Sequence, residues 1–334
     1  MSVPDHPVGA VDEFDWIEGL RPLAEDAPEA FGLLDDAAAI PSRPGWDLIV
    51  SKDAMVEGVH FLADDPADLV ARKLLRVNLS DLAAKGAEPY GYFLAVAWPA
   101  RFGWPQRRAF VEGLSADQVE FGLKLLGGDT VSTPGPLTAS LTILGWTPAG
   151  AMVRRGSALA GDVVLVSGSI GDGWLGLQAA QGSLTKLSVG DRAWLADRYR
   201  LPQPRVGLQA ALRRHASAAA DVSDGLIADA GHIAFASGVG LRLELDRLPR
   251  SAPAGRWLSM AADATAARVA LATGGDDYEI VCTARPENVA PLQAAAQALD
   301  LPLTPIGAVV AGSGVEVTSG GRSIVVEAGG YRHR

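Results

Sequence analysis

The sequence predicts a two-domain protein of the mixed α/β (α+β) class. The chain has 334 residues, which exceeds the length at which a single hydrophobic core usually stops growing. Hydrophobic residues make up 48% of the chain and charged residues 20%, so each domain can bury a core and global disorder is excluded. Strand-like apolar runs alternate with longer helical patterns, which is the arrangement found in α/β and α+β folds.

The first half of the chain combines three strand-like runs with helical patterns. An amphipathic segment covers residues 13–23. The strand-like runs are DLIVSKD (47–53), YFLAVAWP (92–99) and LTASLTILGW (137–146), and the helical patterns cover 67–76 and 105–125. Because the helical patterns fall between the strands, we expect one sheet packed against helices.

A domain boundary is predicted near residue 148. The segment TPAGAMVRRGSALAGD (147–162) is rich in Gly, Ala and turn residues, and a new strand begins at its end in DVVLVSG. The predicted domains are therefore residues 1–148 and 149–334. In the second domain we expect a polar helical insertion near 180–200, a helix starting at DVSDGL (221–226), a long helical stretch over 251–271 and closing strands over 305–327.

Charge and composition limit the partners and the compartment. A formal net charge of −10 argues against a nucleic-acid partner, because phosphate backbones attract Lys and Arg. No apolar run approaches the roughly 20 residues that cross a bilayer, and the acidic N-terminus MSVPDHPVGAVDEFDW lacks the regions of a signal peptide. The single cysteine, Cys282, lies in the strand-like run YEIVCTA and is expected to be a buried small hydrophobe in a reducing compartment. We therefore predict a cytoplasmic protein without a membrane or nucleic-acid partner.

Acidic residues recur beside Gly, Ala or Ser at the ends of apolar runs. They are Asp35, Asp36, Asp53, Asp81, Asp129, Asp221, Asp224, Asp276 and Asp277. Grouped carboxylates repel one another unless cations compensate their charge. Oxygen ligands without Cys or His clusters favour Mg²⁺ over zinc, and bound divalent cations allow an acidic protein to hold an anionic nucleotide. The set therefore predicts a Mg²⁺-phosphate site.

Each of these residues alone also has a simpler structural interpretation. Asp81, in VNLSDLAAKGAEP, is placed where a helix is expected to start and could act as a helix cap. Turns or caps could likewise explain Asp129 and Asp224, His60 could be a satisfied strand histidine, and Arg155 could be surface charge. The chain contains no G-x-x-x-x-G-K-[ST] loop, kinase H-R-D or D-F-G motif, Gly-x-Ser-x-Gly elbow or H-E-x-x-H motif. A phosphate site here would belong to a less common scaffold.

Eight motifs along the chain, taken in order, resemble the thiamine-monophosphate kinase family. They are DDAA (35–38), DAMVEGVHF (53–61), VNLSDLAAKGAEP (77–89), GGDT (127–130), RRGSALAGD (154–162), DVSDGL (221–226), GGDDYEI (274–280) and GGYRH (329–333). VEGVHF and NLSDLAA are specific to this family within the aminoimidazole ribonucleotide synthetase-like superfamily. The resemblance implies a dimerising N-terminal α/β domain, a C-terminal α/β domain and ATP bound between them. It also implies that ATP and thiamine phosphate give ADP and thiamine diphosphate.

The same resemblance assigns roles to individual residues. The implied Mg²⁺ ligands are Asp36, Ser51, Asp53, Asp81, Asp129, Asp221 and Asp224. Contacts to ATP are implied for Gly128, Asp129, Arg155 and Ser223, and contacts to thiamine phosphate for His60, Asp276 and Tyr331. No general base is expected, because the acceptor is already an anionic phosphate; catalysis would come from alignment and from charge neutralisation by metal ions.

The chain departs from the family pattern at five places. Leu34 replaces a Gly, Lys52 a Thr, Lys85 a Met and Asp276 a Glu, and the usual D-H-F ending is absent. A protonated Lys52 cannot coordinate Mg²⁺, so its ammonium could pair with Asp53 or with a phosphate oxygen in place of one metal ion. Alternatively, Lys52 faces away from the site. Two other functions stay open: a homologue that binds nucleotide or thiamine phosphate without turnover, and a same-fold ATP-dependent enzyme with another acceptor.

Overall fold

The computed structural model describes residues 13–331. Eleven β-strands are present in this range: β1 (Trp46–Val56), β2 (Glu88–Pro99), β3 (Leu125–Thr133), β4 (Thr138–Pro148), β5 (Val163–Ser167), β6 (Ala218–Asp221), β7 (Gly240–Glu244), β8 (Ile280–Ala284), β9 (Leu303–Val310), β10 (Gly314–Ser319) and β11 (Arg322–Ile324). The α-helices of the same range are α1 (Glu13–Leu20), α2 (Ala67–Ala84), α3 (Trp104–Phe121), α4 (Asp172–Ala180), α5 (Val189–Arg200), α6 (Gln209–His215), α7 (Leu226–Ser237), α8 (Ala252–Ser259), α9 (Ala264–Thr273) and α10 (Pro286–Gln297). No helix in the described part is both long enough and apolar enough to span a bilayer.

The chain divides into two compact units. Unit 1 comprises residues 1–78 and 89–146, and unit 2 comprises residues 79–88 and 147–334. Helix α2 therefore contributes its first part to unit 1 and its last residues to unit 2. The roles predicted for the two domains stay predictions.

Unit 1 contains a four-stranded sheet with the order β1-β4-β2-β3, in which β2 and β3 are parallel. In β2, alternate residues from Tyr92 to Trp98 are buried, as expected for a strand with one face against a core. Trp98 makes edge-to-face contacts with Trp16 of α1 and Phe110 of α3, with ring centroids 5.0 and 5.3 Å apart. These aromatic contacts fix α1 and α3 on one face of the sheet.

A buried ion pair joins α2 to α3 in the same unit. Arg76 Nε lies 2.7 Å from Asp117 Oδ2, and both side chains are almost fully buried. Arg72 Nε donates to the other oxygen of Asp117 at 2.7 Å. With two guanidinium partners, Asp117 is a compensated buried charge, and removing both of them would leave a costly unpaired carboxylate.

Unit 2 contains a seven-stranded mixed sheet with the order β11-β10-β7-β9-β5-β8-β6. Successive residues of β5 enter different cores: Val164 and Val166 pack in one cluster and Leu165 in another. The sheet is therefore covered on both faces, which explains why VVLVS is apolar throughout instead of alternating. Ala83, in the last turn of α2, packs in the same cluster as Leu165, so the end of α2 is part of the unit 2 core.

The strands predicted in the first half are confirmed as β1, β2 and β4, and a helix follows DVSDGL as predicted. Two helix predictions were wrong in extent. The helix expected over 67–76 continues to Ala84, and the stretch 251–271 forms two helices, α8 and α9, separated by residues 260–263. The helix start expected at Asp81 is also wrong, and with it the alternative interpretation as a cap, because this residue lies in the last turn of α2.

Some sequence expectations fall outside the described residues. These are the interpretation of the N-terminus through residue 12 as lacking a signal peptide, and the Arg332–His333 end of the GGYRH motif. Cys282 is buried and free within β8, as predicted.

Candidate active site

A cavity of about 450 Å³ opens in unit 1 beside three carboxylates. Its polar lining comes from Asp35, Asp36, Lys52, Gly128, Asp129, Thr130, Ser140 and Thr142. Its apolar lining includes Trp16, Ile17, Leu20 and Phe93. A cavity with an apolar wall and a few convergent polar groups is the usual form of a small-molecule site.

Local structure orients the acidic groups of this cavity. The Thr130 N–H donates to Asp129 Oδ1 at 2.9 Å, and the Asp36 N–H donates to Asp35 Oδ1 at 2.8 Å. Packing requires a glycine at position 128, because a Cβ there would lie 1.9 Å from the Leu94 carbonyl oxygen of the neighbouring strand. The glycine permits the β2–β3 pairing that presents Asp129. Of the predicted residues, Asp36, Gly128 and Asp129 meet in this cavity.

Ser51 and Asp53 do not line this cavity, although Lys52, which lies between them in β1, does. Successive strand residues point to opposite faces, and Lys52 lines the cavity with its Nζ 3.5 Å from Thr142 Oγ1. The Asp53 N–H donates to Asn78 Oδ1 of α2 at 2.9 Å. Lys52 therefore faces away from Ser51 and Asp53, but toward Asp36 and Asp129.

His60 lies in a turn directly after β1, not in a strand. Its Nδ1 accepts the Val56 N–H at 3.0 Å, and its carbonyl oxygen accepts from Lys73 Nζ at 3.0 Å. With Nδ1 as an acceptor, the neutral imidazole carries its proton on Nε2. The turn thus fixes both the ring orientation and the tautomer.

In unit 2, the loop after β6 is held by a residue that the sequence analysis missed. Asp229 Oδ2 accepts the N–H groups of Ser223, Asp224 and Gly225 at 3.0, 3.1 and 3.2 Å. Burial and then the charge of Asp224 raise the pKa of Asp229 to about 7. The sequence feature that could have pointed to Asp229 is its place as an acidic residue in the first turn of a largely apolar helix.

Two further segments form hydrogen bonds with this loop. The Asp276 N–H donates to the Ser223 carbonyl at 2.8 Å, and the Tyr331 N–H donates to the Asp224 carbonyl at 2.9 Å. Asp276 has a φ of 62°, which is uncommon for a residue other than glycine, and such residues cluster at functional sites. The structure therefore brings Ser223, Asp224, Asp276 and Tyr331 together.

A second group of charges in unit 2 surrounds Lys85. Its Nζ donates to the Ala219 carbonyl of β6 at 2.8 Å. Burial, reinforced by the charge of Arg155, lowers the pKa of Lys85 to about 8, while Asp221 and Asp81 act in the opposite direction. The predicted residues Asp81, Arg155 and Asp221 thus share one electrostatic environment. The family comparison marked Lys85 only as a departure.

Two buried acids lie at the end of GGDD and just after it: Asp277 belongs to the predicted carboxylate set but received no individual role, and Glu279 was not singled out from the sequence. Asp277 accepts the N–H groups of Gly171 and Gly173 at 2.8 and 2.9 Å, and burial raises its pKa. Glu279 accepts from Ser167 Oγ at 2.7 Å and from Arg205 Nε at 2.6 Å. These contacts fasten the segment that carries Asp276. An acidic residue inside a strand-like apolar run was the available signal.

The donor groups fit a hard divalent cation. The cavity of unit 1 offers carboxylates of Asp36 and Asp129 together with hydroxyl oxygens, which is the oxygen-rich set that Mg²⁺ prefers. In unit 2, ligand atoms of Asp224, Asp229 and His232 lie within 4.8 Å of one another. Because Asp229 Oδ2 already accepts three N–H groups, Asp229 is better explained as the anchor of the loop.

Comparison with known proteins agrees with this fold. The model for the AIR synthase related protein, N-terminal domain, matches residues 34–147, and the C-terminal domain model matches residues 160–320. The thiamine-monophosphate kinase of Caulobacter vibrioides is 53% identical over 322 residues, which cover 96% of this chain and 90% of that protein.

Solved structures give the same result. The crystal structure of thiamine-monophosphate kinase from Stenotrophomonas maltophilia has a TM-score of 0.82 at 38% identity, covering 92% of this chain and 97% of that chain. A structure of AaThiL complexed with AMPPCP and TMP has a TM-score of 0.77 at 27% identity, covering 96% and 97%. The predicted aminoimidazole ribonucleotide synthetase-like two-domain fold is confirmed. The chain therefore belongs to the AIR synthase related family and, within it, to the thiamine-monophosphate kinase family.

Proposed function

We propose that this protein transfers the γ-phosphoryl group of ATP to the phosphate of thiamine monophosphate, producing ADP and thiamine diphosphate. The observation that carries the proposal is its membership, over nearly the whole chain, in the thiamine-monophosphate kinase family. A relative of the same fold complexed with AMPPCP, an ATP analogue, and with TMP supports both substrates.

The proposed metal ligands are the carboxylates and the hydroxyl that the resemblance selected. They are Asp36, Ser51, Asp53, Asp81, Asp129, Asp221 and Asp224. Bound Mg²⁺ would neutralise negative charge on the phosphates as the phosphoryl group moves. The grouping of Asp36 with Asp129, and of Asp81 with Asp221, supports this assignment.

The chain's own residues would bind and orient the two substrates. We assign Gly128, Asp129, Arg155 and Ser223 to ATP, and His60, Asp276 and Tyr331 to thiamine phosphate. The fixed loop around Ser223 and the clamped turn around His60 support positioning roles, because alignment of the reacting groups supplies much of the catalysis in phosphoryl transfer. The attacking phosphate oxygen is already ionised, so no side chain has to remove a proton.

We further propose that residues 1–148 bind ATP and Mg²⁺ and form a homodimer, and that residues 149–334 supply the remaining site residues. Exposed apolar side chains on the unit 1 sheet support the dimer: Leu48, Val50 and Val131 are 39%, 56% and 53% exposed. Burial of such residues is a general driving force for association. The cytoplasmic location stays a prediction.

An ADP-release assay tests the proposed reaction. We expect ADP only when ATP, Mg²⁺ and thiamine phosphate are all present, with thiamine diphosphate formed in equal amount. Free thiamine and aminoimidazole-type acceptors serve as matched controls. Equal ADP release with free thiamine, or none with any acceptor at saturating Mg²⁺, would contradict the proposal. Binding of thiamine phosphate without turnover would instead favour a non-catalytic homologue.

A further inference from the structure

Lys85 places an ammonium group among the acidic residues of unit 2. It follows the last turn of α2, four residues after Asp81, and its own N–H donates to the Asp81 carbonyl at 3.0 Å. Residues four apart on a helix lie on the same face. The side chains of Asp81 and Lys85 are therefore neighbours, and the charge of Asp221 also acts on the ammonium.

The ammonium also joins two elements of the unit. Lys85 Nζ donates to the carbonyl of Ala219, two residues before Asp221 on β6, at 2.8 Å. The backbone carbonyl of Lys85 accepts the Val153 N–H at 3.1 Å. Ala83 and Ala219 pack in one apolar cluster. Lys85 is thus fixed between the end of α2 and the end of β6, the two elements that carry Asp81 and Asp221.

The helix dipole does not favour a carboxylate at the position of Asp81, in the last turn of α2. The carbonyl groups at a helix C-terminus carry partial negative charge, so a carboxylate in the last turn is unfavourable there. A cation at this position is favourable, and one beside two carboxylates also relieves their mutual repulsion. The positive charge of Lys85 therefore offsets part of the negative charge of Asp81 and Asp221.

We propose that Lys85 acts electrostatically in the kinase reaction: its ammonium, fixed between the elements that carry Asp81 and Asp221, supplies positive charge that an additional divalent cation would otherwise supply. This inference rests on the proposed function, since it assigns both aspartates to the Mg²⁺ site. It predicts that the protein binds fewer Mg²⁺ ions, or binds them with lower affinity, than a variant without the positive charge of Lys85.

Metal binding by the full-length protein without substrates tests this proposal. In Lys85→Gln the side chain keeps a donor for the Ala219 carbonyl but loses the charge. We expect Lys85→Gln to bind Mg²⁺ about tenfold more tightly than the wild type in calorimetric titration, because a repelling positive charge is removed. The increase in Tm caused by Mg²⁺ should also be larger. Lys85→Arg, which retains the charge, should titrate like the wild type.

Further variants separate this role from a purely structural one. Lys186→Met, at an exposed position, is the control for removing a lysine elsewhere. In an Asp81→Asn background the effect of Lys85→Gln should shrink. Should Lys85→Gln not fold, Lys85→Met is the second neutral variant for the same titration.

Each outcome distinguishes between the two proposals. Equal Mg²⁺ affinity in folded Lys85→Gln and wild type would overturn the charge role and leave only the hydrogen bond to Ala219. No Mg²⁺ binding by the wild type would overturn the metal site, and the Lys85 role with it. If Lys85→Gln binds Mg²⁺ more tightly than the wild type as predicted, but the wild type never releases ADP, the kinase proposal alone is contradicted.

Discussion

Asp229 Oδ2 accepts the backbone N–H of Ser223 at 3.0 Å, and the same oxygen accepts the next two N–H groups of the loop. One buried carboxylate therefore fixes three consecutive residues between β6 and α7. The loop that carries Ser223 and Asp224 is thus held from inside the protein, independently of any ligand.

Replacement of Asp229 by alanine should destabilise this loop and reduce turnover. Three backbone donors would lose their acceptor, and each buried unsatisfied donor costs about 1–3 kcal/mol. We expect a loss of roughly 3 kcal/mol in the free energy of unfolding, measured by urea denaturation. Asp229→Asn retains one acceptor oxygen and removes the repulsion with Asp224, so it should be much less destabilised. Equal stability of the alanine variant and the wild type would contradict the anchoring role.

Replacement of Asp81 or Asp129 by asparagine should lower turnover by orders of magnitude and leave the fold intact. Each substitution removes a proposed metal charge and not a core contact. Neither side chain caps a helix: Asp81 lies in the last turn of α2 and Asp129 in β3. Steady-state rates beside circular dichroism melts give both quantities.

The exposed Asp64→Asn is the matched control for these two variants and should behave like the wild type. If the melting temperature of Asp81→Asn or Asp129→Asn falls steeply and residual activity follows the folded fraction, the structural interpretation of that aspartate is the correct one.

Alkaline stability should depend on Cys282. Burial raises the pKa of this thiol from its ordinary value of 9.0 to about 12. Above pH 9 the unfolded chain loses the thiol proton while the folded chain retains it, so stability falls as pH rises from 9 toward 12. From pH 8 to 10.5 the wild type should lose about 2 kcal/mol more than Cys282→Ala, measured by urea denaturation at each pH. Parallel pH profiles would contradict a buried, protonated thiol.

Much of the fold could be predicted because its signals are local. Apolar runs such as YFLAVAWP and DVVLVSG become strands, and the Gly and Ala-rich segment after residue 147 precedes a new strand. β3 was not recognised as a strand, because LLGGDTVST contains two glycines and is largely exposed. Its conformation comes from pairing with β2, a long-range contact that a single sequence does not display.

The sequence predicted which residues belong to the candidate site, but not how they are arranged in space. Motifs selected Asp36 and Asp129, yet only the folded chain places them in one cavity with Lys52. Asp229 escaped notice and Lys85 was noted only as a departure from the family pattern, because their contacts are with backbone groups of a loop and of β6. Such contacts depend on tertiary packing, which leaves no spacing rule in the sequence.

The last prediction concerns Lys52 in β1. It is the cation among the described residues that line the unit 1 cavity, where it faces three carboxylates. Its Nζ lies 3.5 Å from Thr142 Oγ1, which is a long contact, so the ammonium is able to turn toward a bound phosphate or carboxylate and take the place of a metal ion. In Lys52→Thr, initial rates should therefore depend more steeply on Mg²⁺ concentration at fixed ATP, because a metal ion is then needed where the ammonium lay. Lys186→Thr, an exposed lysine outside this unit, is the control. Unchanged turnover and an unchanged Mg²⁺ titration in Lys52→Thr would show that this lysine has no part in the reaction.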